Sequence, residues 1–111
     1  MDFLIIAYDR GDGGKRRNEL RGAHLDFVKD KQHLYKYGGP ILDDNGTMIG
    51  SIMIITLPDR AALDAHLAQD PYFRAGANLF ESVTIRRTKH VVPEPEPGRL
   101  AAEIEKQRAK A

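Results

Sequence analysis

The chain has no cysteine among its 111 residues. That excludes disulfide frameworks, thiolate zinc sites and cysteine nucleophiles together, and nothing points to an oxidising compartment. Long hydrophobic runs are also lacking. The opening segment, Met1 to Asp9, has no basic n-region, and its apolar stretch is too short for a signal peptide or a membrane span. Nor is there an excess of charge: seventeen Lys and Arg face sixteen Asp and Glu, a formal net charge of +1. A nucleic-acid binder usually shows a strong basic excess or a stripe. The two densest basic clusters, Lys15-Arg16-Arg17 and Arg86-Arg87-Thr88-Lys89, are short, lie near acidic residues and read as solvated faces. The expectation is a cytoplasmic protein with no nucleic-acid and no membrane partner.

What is present suits one small domain. A chain this short buries a modest fraction of its surface, so a partner subunit is a natural supplement. Residues Phe3 to Tyr8 read as a strand that is apolar on both faces. A glycine-rich loop, Arg10 to Gly14, follows. Lys15 to Tyr37 carries a helical period, with Leu20, His24, Phe27, Lys31, Leu34 and Tyr35 on one stripe. Gly38-Gly39-Pro40 is expected to stop that helix. A short strand over Pro40 to Leu42 then enters the hairpin turn Asp43-Asp44-Asn45-Gly46. Met48 to Leu57 is a second strand apolar on both faces. Asp59 is placed to cap a helix that ends at Asp70-Pro71, and Leu79 to Lys89 forms the last strand.

The order is β-α-β-β-α-β, an α+β ferredoxin-like sandwich. Its first and third strands are central in that topology, and those are the two that are apolar on both sides. Two helices cover only one face of the sheet, and the other needs a lid. A second copy of the sheet is the simplest lid, so the pattern predicts a homodimer through the sheet face. The domain is expected over residues 1–92. Residues 93–111 follow as a Pro-rich linker and a helical tail in which Leu100 and Ile104 are the large apolar side chains.

Several residues are candidates for chemistry. His24 lies within the apolar stripe of the first helix, where a neutral imidazole oriented by a carboxylate makes a general base of suitable strength. A core histidine bonded to a backbone carbonyl is the plain alternative. Asp70 closes the second helix, and Pro71 fixes the backbone after it, so its carboxylate either points inward or caps a turn. Arg21, three residues before His24, suits a carboxylate or phenolate ligand or is simply solvated. Ser51 belongs to the third strand, where its hydroxyl can face a cleft, and Tyr72 either walls a pocket or packs. His33, His66 and His90 are poor candidates. No two histidines stand four apart on a helix and no carboxylate motif accompanies them, so no metal site is expected. The glycines at 11, 13 and 14 lack the Gly-Lys-Ser/Thr of a phosphate loop.

Arg21-Gly22-Ala23-His24-Leu25, Gly39-Pro40, Gly50-Ser51, Asp70-Pro71-Tyr72 and Gly76, in that order, closely resemble the pattern of the YCII-like family. The resemblance runs over roughly residues 1 to 92. It implies a dimeric α+β barrel, and a catalytic histidine and aspartate that fall on His24 and Asp70. One characterised branch of that family removes chloride from a chlorinated hydroxyquinol without a cofactor. Two functions follow as expectations. The first is a cofactor-free lyase or isomerase, dehydrochlorinase-like, using the His24/Asp70 acid–base pair on a small aromatic or lactone-like substrate. There Arg21, Ser51 and Tyr72 contact the substrate. The second is a non-enzymatic dimeric module that binds a small ligand or a partner. The Pro-rich linker and final helix depart from the compact family pattern.

Overall fold

A computed structural model describes residues 1–11 and 13–111. Among the described residues, four strands and three α-helices succeed one another as β1 (Asp2–Asp9), α1 (Gly13–Lys29), β2 (Tyr35–Leu42), β3 (Met48–Thr56), α2 (Arg60–Gln69), β4 (Phe80–Thr88) and α3 (Arg99–Lys110). The sheet order is β2-β3-β1-β4, antiparallel throughout, so β1 and β3 are central and the topology is ferredoxin-like. None of the described helices is long and apolar enough to cross a membrane.

Side-chain alternation explains the layering. Phe3, Ile5 and Ala7 of β1 and Ser51, Met53 and Ile55 of β3 are buried on one face. Leu63 and Leu67 of α2 pack onto Phe3, Ile5, Met53 and Ile55 there. Leu20 of α1 joins Tyr72, Ala77 and Leu79 in a second cluster. The opposite face carries Leu4, Ile6, Ile52 and Ile54, where Ile6 pairs with Ile52 and Leu4 with Ile54. Gly50 lets β1 and β3 approach at their ends, because a Cβ there would collide with the carbonyl oxygen of Ala7.

Local chemistry accounts for the turns. Asp43 Oδ1 accepts from the backbone amides of Asn45 (2.8 Å) and Thr47 (3.0 Å), and Gly46 takes a φ of 82° to close the hairpin. Asp59 caps α2 by accepting from Ala62 N at 2.8 Å.

Three boundaries differ from the sequence expectation by more than one residue. The first helix ends at Lys29, not Tyr37, and the second strand begins at Tyr35, not Pro40. Gly38-Gly39-Pro40 therefore lies inside a strand. A single 3-10 turn, Gln32–Leu34, carries the chain between the two elements. It keeps Leu34 and Tyr35 on the core, so the apolar spacing that mimics a longer helix is satisfied by another backbone. At its other end α1 begins at Gly13, which takes Gly13 and Gly14 out of the expected loop; Asp12 of that loop lies outside the described residues.

Candidate functional site

Arg17, Arg21 and His24 occupy one stripe of α1 at i, i+4 and i+7. They overlook a cavity of about 410 Å³ between α1 and the β2–β3 edge of the sheet, whose walls also include Tyr35, Gly38, Ser51 and Tyr72. Glycine at 38 keeps the strand side of this cavity free of bulk, since a Cβ there would sit against the Tyr35 and Met53 side chains.

His24 Nδ1 lies 2.8 Å from Asp70 Oδ1. Asp70 has no exposed surface, and the His24 side chain is 15 % exposed. The residue follows α2 directly in extended geometry, with φ −71° and ψ 125°, as the position before proline favours. Its carbonyl oxygen accepts from Phe73 N and Arg74 N, which turns the chain at once and aims the carboxylate at α1. Oδ1 also accepts from Tyr72 N at 2.9 Å, while Oδ2 is buried without a partner among the described residues. An ionised carboxylate only accepts, so Nδ1 of His24 carries the proton and Nε2 is the ring nitrogen left for the cavity. The Tyr72 ring stacks on the imidazole with centroids 3.9 Å apart and planes 10° from parallel. This holds the ring's orientation.

Tyr72 also lies beneath the Arg17 guanidinium, 4.8 Å from its ring centroid. Arg17 is only 3 % exposed. This corrects the expectation that Lys15-Arg16-Arg17 is wholly solvated. The guanidinium donates from Nε and Nη2 to the two carboxylate oxygens of Asp9, at 2.8 and 2.7 Å, and from Nη2 to Ser51 Oγ at 3.0 Å. Burial alone would lower the Arg17 pKa, but the bond to Asp9 and its charge outweigh that and raise it. Burial pushes the Tyr72 hydroxyl up, against the pull of Arg17 and Arg21.

The remaining wall brings in a residue that sequence reasoning set aside. Tyr35 Oη lies 2.7 Å from His66 Nε2, and His66 is buried on α2 four residues before Asp70. Burial lowers the His66 pKa; the Asp70 charge works against this and Lys31 works with it. Burial, then the Asp70 charge, raises the Tyr35 pKa.

Four of the five singled-out residues, His24, Arg21, Ser51 and Tyr72, line the cavity, and Asp70 stands behind His24. Arg21 is exposed at the rim, whereas Ser51 is buried and bonded to Arg17. Asp9, Arg17, Tyr35 and His66 are not among those sequence candidates. Asp9 had a signal: it ends the inward-facing series Phe3, Ile5, Ala7. Arg17 had one too, seven residues before His24 on the same stripe. Among the described residues, no three His, Asp or Glu side chains come together as a metal-binding group.

The model of the YCII-related domain matches residues 1–89. The chain belongs to that family. This YCII-related protein is similar in structure to the 5-chloro-2-hydroxyhydroquinone dehydrochlorinase of Burkholderia phenoliruptrix AC1100, solved in complex with 2,5-dihydroxybenzoquinone. The TM-score is 0.74 and the identity 27 %, over 85 % of this chain and 99 % of that one. An antibiotic biosynthesis monooxygenase (TM-score 0.50, 17 % identity, 81 % of this chain and 97 % of that one) shares the fold. So does a Pseudomonas aeruginosa protein (0.51, 14 %, 82 % and 93 %). No curated protein matches the chain significantly.

Proposed function

We propose that this protein is a cofactor-free lyase or isomerase for a small hydroxylated aromatic or lactone-like substrate, with His24 as proton carrier and Asp70 as its orienting partner. The observation that carries this reading is the 2.8 Å contact of His24 with a fully buried carboxylate beside the cavity. The 27 % identity to a dehydrochlorinase supports the reaction class. His24 Nε2 takes a proton from a ring hydroxyl, and the imidazolium that forms is stabilised by Asp70. Arg21 at the rim offers its guanidinium to the phenolate. Ser51 and Tyr72 shape the wall. On a chlorinated hydroxyhydroquinone, His24 then delivers that proton to the chlorine-bearing carbon. Loss of a second hydroxyl proton drives out chloride and leaves a quinone, so HCl is removed with no oxidant.

The test is chloride release from chlorinated hydroxyhydroquinones by the purified protein without added cofactor. Release by wild type that is lost in His24→Ala is the expected result. Equal release by both proteins removes His24 from the reaction.

In this reading the working unit is residues 1–92, acting as a homodimer joined through the outer sheet face, and residues 93–111 are an appended linker and helix. Leu4, Ile6, Ile52 and Ile54 form the centre of that face, with exposed Tyr8 and Tyr37 beside them. Such a patch on a small protein is a natural interaction surface. Sedimentation at micromolar concentration is expected to show dimers for wild type and monomers for the Ile6→Lys, Ile52→Lys pair, which places two charges on directly opposed residues. A monomeric wild type would contradict the dimer.

A further inference from the structure

We infer that Tyr35 is a second ligand-reading group of this cavity, which accepts a hydrogen bond from a substrate hydroxyl, and that His66 fixes it in that accepting role. The inference rests on the cavity holding a small hydroxylated ring, as argued above. Tyr35 belongs to β2, across the cavity from the α1 stripe that carries His24, and it is one of the lining residues. Its hydroxyl is 2.7 Å from His66 Nε2.

One proton lies on that line, and chemistry says whose it is. A phenol O–H is a much stronger acid than the N–H of a neutral imidazole, while the imidazole nitrogen is the better acceptor. Burial at 8 % exposure favours the uncharged ring, so His66 has an unprotonated nitrogen to offer. Tyr35 therefore donates to Nε2. A tyrosine hydroxyl has one proton and two lone pairs. With its proton committed to a buried partner, the Tyr35 hydroxyl has only lone pairs left for a ligand. The ring of His66 is held in turn by Phe27, whose centroid is 5.1 Å away, so the acceptor does not swing out. The consequence is a rule about substrates. A ring oxygen facing β2 must carry a hydrogen; an ether, a halogen or a carboxylate at that position meets lone pairs.

Benzene-1,4-diol and 4-methoxyphenol distinguish the cases, because each has one hydroxyl for His24 and they differ in whether the second oxygen bears a proton. Calorimetric titration of the full chain is expected to find the diol about tenfold tighter, the worth of one hydrogen bond. In Tyr35→Phe the ratio is expected to fall to about twofold or less. His66→Leu leaves the Tyr35 oxygen but frees its proton for the methoxy group, and the ratio should fall there too. This second variant serves if Tyr35→Phe does not fold. His66→Gln, whose carbonyl can take the same proton, should keep the preference. An undiminished preference in Tyr35→Phe or His66→Leu, or none in wild type, overturns the role of Tyr35 and leaves the cavity reading standing. Failure of both phenols to bind wild type overturns the two readings together.

Discussion

Asp70→Asn is expected to lower turnover by about a hundredfold to ten-thousandfold while leaving the domain folded. The amide has nearly the shape of the carboxylate. Its oxygen can still accept from Tyr72 N, and its nitrogen takes the place of Oδ2, an atom with no partner among the described residues. The charge is what disappears. Without it nothing stabilises the imidazolium that forms when His24 takes a proton. His24→Ala should cost about as much, and the double variant little more, since groups that act as one unit are not additive. Thermal melts accompany the kinetics. A full loss of activity at an unchanged melting temperature supports the charge argument, and additive losses in the double variant would mean that the two residues act separately.

Much of this architecture is legible in the amino-acid sequence, and the reason is periodicity. β1 and β3 are apolar on both faces, which only a central strand with cover above and below requires, and both are central. Asp43 to Gly46 and Asp59 carry their turn and cap chemistry within a few residues, so each is a local decision. The start of β2 was not legible. Leu34 and Tyr35 fall on the helical stripe of α1, and a 3-10 turn meets the same demand for burial at nearly the same spacing. Spacing records which side chains must be inside, not which backbone takes them there.

The site divides along the same line. His24 interrupts the apolar stripe of α1 and Asp70 stands just past the end of α2, positions at which a polar residue stands out. Their contact spans 46 positions of sequence and is a product of the fold. Arg17 was hidden because charge in a run of basic residues says nothing of direction. Arg16, its neighbour, is half-exposed and bonds Glu19 at the surface and the carbonyl of Ala77, so one basic cluster holds a surface guanidinium beside a buried one. His66 reads in the sequence as an ordinary mid-helix residue, because its partner is a tyrosine from another element.

Arg17→Leu is expected to destabilise the fold by about 3–5 kcal/mol, the usual cost of leaving one member of a buried ion pair alone. Arg17 and Asp9 side chains are 3 % and 4 % exposed, and their two bonds of 2.7 and 2.8 Å form the bidentate geometry that makes such pairs strong. Removing the guanidinium strands the Asp9 carboxylate in the interior at the end of β1. It also removes the donor to Ser51 Oγ and the cation over Tyr72. Small domains are stable by only about 5–15 kcal/mol, so this loss brings the protein near unfolding at room temperature. Asp9→Leu should be comparably harmful. The pair Arg17→Leu, Asp9→Leu should recover a large part of the loss, because two apolar residues leave no unpaired charge. Urea denaturation of the four proteins measures the coupling between the two positions. A coupling near zero would mean that the pair is solvated in the folded state. A strong one would make Arg17 the strut that joins α1 to both central strands and keeps Tyr72, and through it the His24 ring, in place.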